Sequence, residues 1–138
     1  MILEKKINSS FKEHLKIFNL SQRKIISNLP KIANIIYSSL TKGNKLLWCG
    51  NGGSASDCMH LSAEFVGKFK DKRKSLHSIS ITSDQAAITC IANDFGYKYI
   101  FSRQIEGIGK SNDILICLTT SGNSKNIIEA LKTSKKKK

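Results

Sequence analysis

Residues 45–68 read KLLWCGNGGSASDCMHLSAEFVGK. Leu46, Leu47, Trp48 and Cys49 make a short apolar run bounded by Gly43-Asn44 before and Gly50 after, which predicts a buried strand. Gly50-Asn51-Gly52-Gly53-Ser54 then turns the chain, and glycines permit positive φ and close approach of a ligand. From Ser56 the pattern becomes helical, with Met59, Ala63 and Val66 spaced four and three apart. A strand, a glycine turn and a helix N-terminus together form an anion site, because free N–H groups and the helix dipole both favour phosphate. His60 and Glu64, four apart on one face of that helix, are expected just over a turn from the bound anion. This is an active-site layout.

Three readings of the glycine turn compete. Gly50-x-Gly52-x-x-Ala55 follows a strand and opens a helix, so it formally fits a dinucleotide-binding fingerprint. It is not a Walker loop, since no Gly-Lys-Ser/Thr follows. The third reading is a tight strand-to-helix turn with no ligand. A second loop, Thr119-Thr120-Ser121-Gly122-Asn123-Ser124, bears on the choice. It follows the continuous apolar run 114–118, and a helical stretch begins at Asn126. Its hydroxyls and N–H groups would wrap a phosphate, although Ser124 also suits an N-cap. Both loops fall at the carboxyl ends of strands, where open α/β sheets bind ligands. Two of them in one small domain favour a sugar-phosphate site over a dinucleotide site, with Ser54, Ser121 and Ser124 holding the phosphate.

The 138 residues suit one small domain, and 40% apolar content with a single proline is ordinary for a globular protein. No apolar run approaches the ~20 residues of a membrane span, and residues 1–20 lack a signal-peptide core, so a cytoplasmic protein is expected. Cys49, Cys58, Cys90 and Cys117 show no CxxC spacing and read as reduced, mostly packed thiols. The formal charge of +13 includes a terminal run of four lysines. Such an excess suits a phosphorylated small molecule or a nucleic acid equally, but no aromatic-rich basic motif supports nucleic acid.

Leu3, Ile7, Phe11, Leu15 and Phe18 predict a first amphipathic helix over residues 3–20, its stripe a packing face for a partner helix or subunit. A second helix is predicted from near Asn28, with Pro30 in its first turn, Leu29, Ala33, Ile36 and Leu40 buried, and Gly43 capping its end. Two helices ahead of the first strand exceed what one small sheet needs, and oligomer formation would use the surplus. Farther on, 71–74 reads as a solvated charged turn, 78–82 as an alternating second strand and 85–92 as a helix. Asn93-Asp94-Phe95-Gly96-Tyr97 reads as a turn-rich loop, 100–108 as helix, and 114–118 as a third strand buried on both faces. Strands alternating with helices predict a parallel α/β sheet. The domain layout is a helical region over 1–43, an α/β core over 44–132 and a lysine-rich tail over 133–138.

CGNGGSASDCMHLSAEFVGKF, IANDFGY, FSRQIE and TTSGNS, in this order and spacing, resemble the phosphoheptose isomerases of the sugar isomerase (SIS) family, over about residues 28–131. The resemblance implies a flavodoxin-like parallel sheet with helices on both faces and a homotetramer whose sites use neighbouring subunits. It implies conversion of a phosphorylated seven-carbon sugar, sedoheptulose 7-phosphate, into heptose 7-phosphate for bacterial surface polysaccharide, with zinc as a cofactor. By the same resemblance Asn51, Gly52, Gly53, Asn93 and Asp94 contact substrate, and Thr119, Thr120, Ser121 and Ser124 form the phosphate loop, Thr119 standing where Ser is usual. His60 and Glu64 match two zinc ligands, and Glu64 also the catalytic base. The chemistry agrees: aldose–ketose exchange needs a carboxylate base and a group that polarises the carbonyl, and His and Glu at i, i+4 face one way. The plainer alternative for that pair is a surface polar pair on a helix, worth roughly a few tenths of a kcal/mol at most. One departure is that the family continues with two more strands and a helix carrying a Gln and a His that complete the metal site. The resemblance therefore implies a chain truncated relative to the family, with an incomplete zinc site and impaired turnover; a non-catalytic sugar-phosphate-binding or replication-initiator-associated module is the other expectation.

Overall fold

The computed structural model describes residues 2–137, which fall into two units divided between Tyr37 and Ser38. The first consists of most of helix α1 (Ile2–Thr41), a single helix of 40 residues rather than the two predicted, with Pro30 inside it. Pro30 cannot donate to the Ile26 carbonyl. In the turn before it, the Ser27 hydroxyl and Asn28 amide both donate to the Lys24 carbonyl, at 3.0 and 2.8 Å. The expected burial of Leu29, Ala33, Ile36 and Leu40 is not found: the first two are exposed and the others half-buried. Leu3, Ile7, Phe11, Leu15 and Phe18 are exposed as well.

Helix α1 ends, within the second unit, as the sequence predicts. Gly43 adopts φ +83°, its N–H donates to Leu40, and the Asn44 N–H reaches back to Ser39. This is a glycine-terminated Schellman arrangement.

The second unit runs β1 (Leu46–Gly50), α2 (Gly53–Val66), β2 (Ser78–Ser80), α3 (Gln85–Phe95), a 3₁₀ turn (Tyr97–Tyr99), α4 (Ser102–Ile108), β3 (Ile114–Leu118) and α5 (Lys125–Lys136). The three strands are parallel in the order β2-β1-β3, a flavodoxin-like sheet with helices on both faces, as expected. On one face Leu47 and Cys49 join Ile81, Ile100, Phe101, Ile105, Ile127 and Ala130 in the core. Burying each of the larger side chains contributes about 1.5–3 kcal/mol. On the other face the Trp48 ring lies 5.7 Å from Phe65 of α2, and its indole N–H donates to Ser78 at 2.8 Å.

Several elements differ from expectation for identifiable reasons. Helix α2 starts at Gly53, not Ser56, and buries Cys58 and Ser62, while Met59 and Val66 are exposed. Strand β2 covers three residues and buries its serines while Ile79 is 36% exposed. That inversion is stable because Ser62, Ser78, Ser80 and Thr82 satisfy one another's hydroxyls under α2. Asn93, Asp94 and Phe95 are the last turn of α3, which Gly96 ends at φ +94°. Strand β3 is half-buried throughout, since β1 is its only partner among the described residues. The lysine-rich segment continues α5 through Lys136, and the Lys137 ammonium donates to the Gly109 carbonyl at 3.0 Å.

Candidate active site

The register sets Gly50 of β1 beside Leu118 of β3, so the loops that follow them emerge side by side. In the first, a Cβ on Gly50 would lie 2.7 Å from the Ser54 carbonyl oxygen, so only glycine lets the turn fold back so closely. Gly52 occupies the N-cap of α2 at φ +54°, a conformation that disfavours side chains. Ser54 and Ala55 donate their N–H groups back to Asn51 and Gly52, at 3.0 Å each.

The second loop is held by its own hydroxyls. Thr119 accepts from the Gly122 N–H and Ser121 from the Asn123 N–H, each at 3.2 Å. Ser124 takes the N-cap position of α5, but its hydroxyl makes no capping hydrogen bond. Instead it lines a cavity of about 50 Å³ with Asn51, Ser54, Leu118, Thr119 and Thr120. The N-termini of α2 and α5 therefore flank one small polar cavity. Free N–H groups and the dipoles of two helix N-termini favour an anion at such a place. Ser121, Gly52 and Gly53 are exposed and do not line the cavity.

A hydrogen-bond network ties these loops to a third. The Asn51 and Asn126 amides form a reciprocal pair at 3.0 and 2.8 Å, and the Tyr97 hydroxyl donates to the Asn51 oxygen at 3.0 Å. Asn93 and Asp94 lie just upstream of Tyr97, exposed, with the Asn93 amide donating to Asp94 at 2.8 Å. Sequence reasoning named no role for Asn126 or Tyr97. An Asn near a helix start is unremarkable in sequence, and only the fold shows that this one is buried.

His60 and Glu64 do face one way along α2, with His60 Nε2 3.6 Å from Glu64 Oε1. Because α2 begins at Gly53, they lie two turns and more beyond the loop, not just over one. They line a different cavity, of about 480 Å³, with Leu61, Phe65, Phe69 and Leu76 among its apolar walls and Lys68 also lining it. Arg73 straps this region by donating to the Glu64 and Phe65 carbonyls at 2.7 and 2.8 Å. The donor types suit zinc, but among the described residues no three His, Cys, Asp or Glu side chains converge. Catalytic zinc draws about three protein ligands, so these two residues do not by themselves make its site.

Neither Cys49 nor Cys58 offers an alternative nucleophile. Cys49 is pushed far up by its hydrogen bond with Cys117 and by burial, and burial pushes Cys58 up to about 11. Both stay protonated at neutral pH, and only the thiolate is nucleophilic. No helix among the described residues is long and apolar enough to cross a membrane.

The SIS domain family model matches residues 11–138. The phosphoheptose isomerase of Cytophaga hutchinsonii is 41% identical over 138 residues, 99% of this chain and 72% of that one. The phosphoheptose isomerase of Thermodesulfovibrio yellowstonii is 42% identical over 137 residues, 99% of this chain and 68% of that one. Among solved structures, a phosphoheptose isomerase from Francisella tularensis superimposes with a TM-score of 0.95 at 32% identity, covering 99% of this chain and 72% of its own. The enzyme GmhA from Neisseria gonorrhoeae gives a TM-score of 0.91 at 32% identity, covering 98% and 70%. The fold, the paired strand-end loops and these similarities agree: the chain belongs to the SIS-domain family and, within it, to the phosphoheptose isomerases.

Proposed function

We propose that the protein is an aldose–ketose isomerase that converts sedoheptulose 7-phosphate into D-glycero-D-manno-heptose 7-phosphate, an early step towards the heptose of bacterial lipopolysaccharide. The observation that carries this reading is the convergence of two helix N-termini and four hydroxyl side chains on one small polar cavity. Ser54, Thr119, Thr120 and Ser124 hold the phosphate there, with Ser121 at its edge. Asn51, Gly52, Gly53, Asn93 and Asp94 bind sugar hydroxyls. Glu64 removes the proton from C1 of the ketose, and the resulting enediol takes a proton at C2 to give the aldose. His60, within reach of the same carboxylate, orients it. Zinc would take His60 and Glu64 as two of its ligands and would polarise the sugar carbonyl. Loss of zinc binding in His60→Ala should follow, and an unchanged affinity there would remove His60 from the metal site.

Ser54 and Glu64 are ten residues apart on α2, about 15 Å along the helix. Their separate cavities are what a homo-oligomer would produce if one subunit's loops served with another's carboxylate. The same separation favours a second reading, a SIS-type module that binds sugar phosphate without turnover. Calorimetry with sedoheptulose 7-phosphate and with unphosphorylated sedoheptulose tests the shared core of both. The phosphorylated sugar alone should bind; equal affinities would remove the phosphate assignment.

A further inference from the structure

Asn126 is only 2% exposed, yet carries an amide that must be satisfied by hydrogen bonds. Its Oδ1 accepts from the Ile127 N–H at 2.9 Å and from Asn51 Nδ2 at 3.0 Å, while its Nδ2 donates to Asn51 Oδ1 at 2.8 Å. A backbone N–H can only donate, so Ile127 fixes which end of the Asn126 amide is oxygen. The reciprocal pair then fixes the Asn51 amide in turn, and Tyr97 completes the acceptance at Asn51 Oδ1. One hydrogen of Asn51 Nδ2 is left over, on a residue that lines the small polar cavity.

We propose that Asn126 is a positioning residue: acting through Asn51, it locks the glycine turn after β1 to the hydroxyl turn before α5, so that both anion-binding loops hold one geometry before ligand arrives. The hydrogen bonds from Ser54 and Ala55 in the first turn, and from Gly122 and Asn123 in the second, each stay within one turn and do not tie the two together. Gly52 and Gly122 sit at φ +54° and +69°, and no neighbouring atom lies within 4 Å of where a Cβ on Gly52, Gly53 or Gly122 would be. Ordering such loops only upon binding would subtract from affinity, and a preformed bracket avoids that cost. A buried amide pair provides the bracket because breaking it strands polar atoms away from water. The inference deepens the sugar-phosphate reading and rests on it for its ligand.

The test uses the full chain with Asn126→Ala, Asn51→Ala and the double variant. Affinity for sedoheptulose 7-phosphate is read by calorimetry, and loop order by amide hydrogen exchange without ligand. Asn126→Ala should weaken binding about tenfold, the worth of one or two hydrogen bonds. It should speed exchange in both 51–54 and 119–124 while the β1 and β3 amides keep their protection. In the Asn51→Ala background it should add almost nothing. Faster exchange confined to the first turn of α5, or equal losses of affinity in both backgrounds, would overturn the proposal in favour of simple helix capping. If the unaltered chain binds no sugar phosphate, that reading fails, and the exchange pattern alone decides the bracket.

Should Asn126→Ala not fold, Asn126→Asp keeps the acceptor for Ile127 and Asn51 but lacks the donor. Its loops should exchange faster than those of the unaltered chain at pH 7, and the excess should shrink as the carboxyl gains a proton at low pH. An excess that ignores pH would likewise overturn the bracket.

Discussion

Ser124 shows how one side chain can serve two ends. It stands at the N-cap of α5, yet its hydroxyl makes no capping hydrogen bond and borders the small cavity proposed to take the phosphate. Aspartate caps helices as well as serine does, so Ser124→Asp should fold normally while placing like charge against a phosphate. Calorimetry should show sugar-phosphate binding lost, and an unchanged affinity in the folded variant would contradict the site. Residues of this kind were legible in the sequence, because glycines and hydroxyls clustered after apolar runs carry a local signal. Asn126 was not, since its meaning lies in a partner 75 positions away. The serines of β2 were hidden for the same reason: alternation marks two faces, and here the polar face is buried as well, while Ile81 of the apolar face joins the core.

At the scale of elements, the ends of β1 and β3 opposite the site are fastened by a buried ion pair, Lys45 with Asp113. Asp113 also accepts from the Lys45 and Lys110 backbone N–H groups at 2.9 and 2.7 Å. Burial works to raise its carboxyl, but the bonds from Lys45 and Lys110 outweigh this and hold it below the usual value. Its contribution is therefore complete above the unfolded carboxyl range near pH 4, roughly, and is lost as pH falls through the lowered folded value. Asp113→Asn should leave the Lys45 charge buried without its counter-ion and cost about 3 kcal/mol at pH 7. It should also flatten the acid limb of the stability profile. Urea unfolding from pH 7 down to 3 measures both, and a variant of unchanged stability at pH 7 would show that the pair fastens nothing. Strand cores and helix-ending glycines were readable from sequence, but helix extents were less so. Pro30 looked like a start, and only a backbone that tolerates one missing hydrogen bond makes α1 continuous.

The whole molecule places two cavities apart, with the strand-end loops at one and Glu64 at the other. The α/β class and the strand-end loops were evident in the sequence, whereas this separation was not, because sequence spacing gives no distance across a fold. If subunits share sites, mixing inactive Ser124→Asp and Glu64→Gln chains under conditions of subunit exchange should restore part of the activity. Mixtures that stay inactive would confine each site to one chain. The central claim, that Glu64 takes a proton from a sugar anchored by its phosphate, is tested most directly in deuterium oxide. Sedoheptulose 7-phosphate is incubated with the protein, with and without added zinc, and deuterium uptake at C1 is followed by NMR. Unaltered protein should exchange the C1 proton well above the buffer rate, and Glu64→Gln should be slower by about 10²–10⁴-fold. No exchange above buffer, or a Glu64→Gln variant exchanging at the unaltered rate, would contradict the claim.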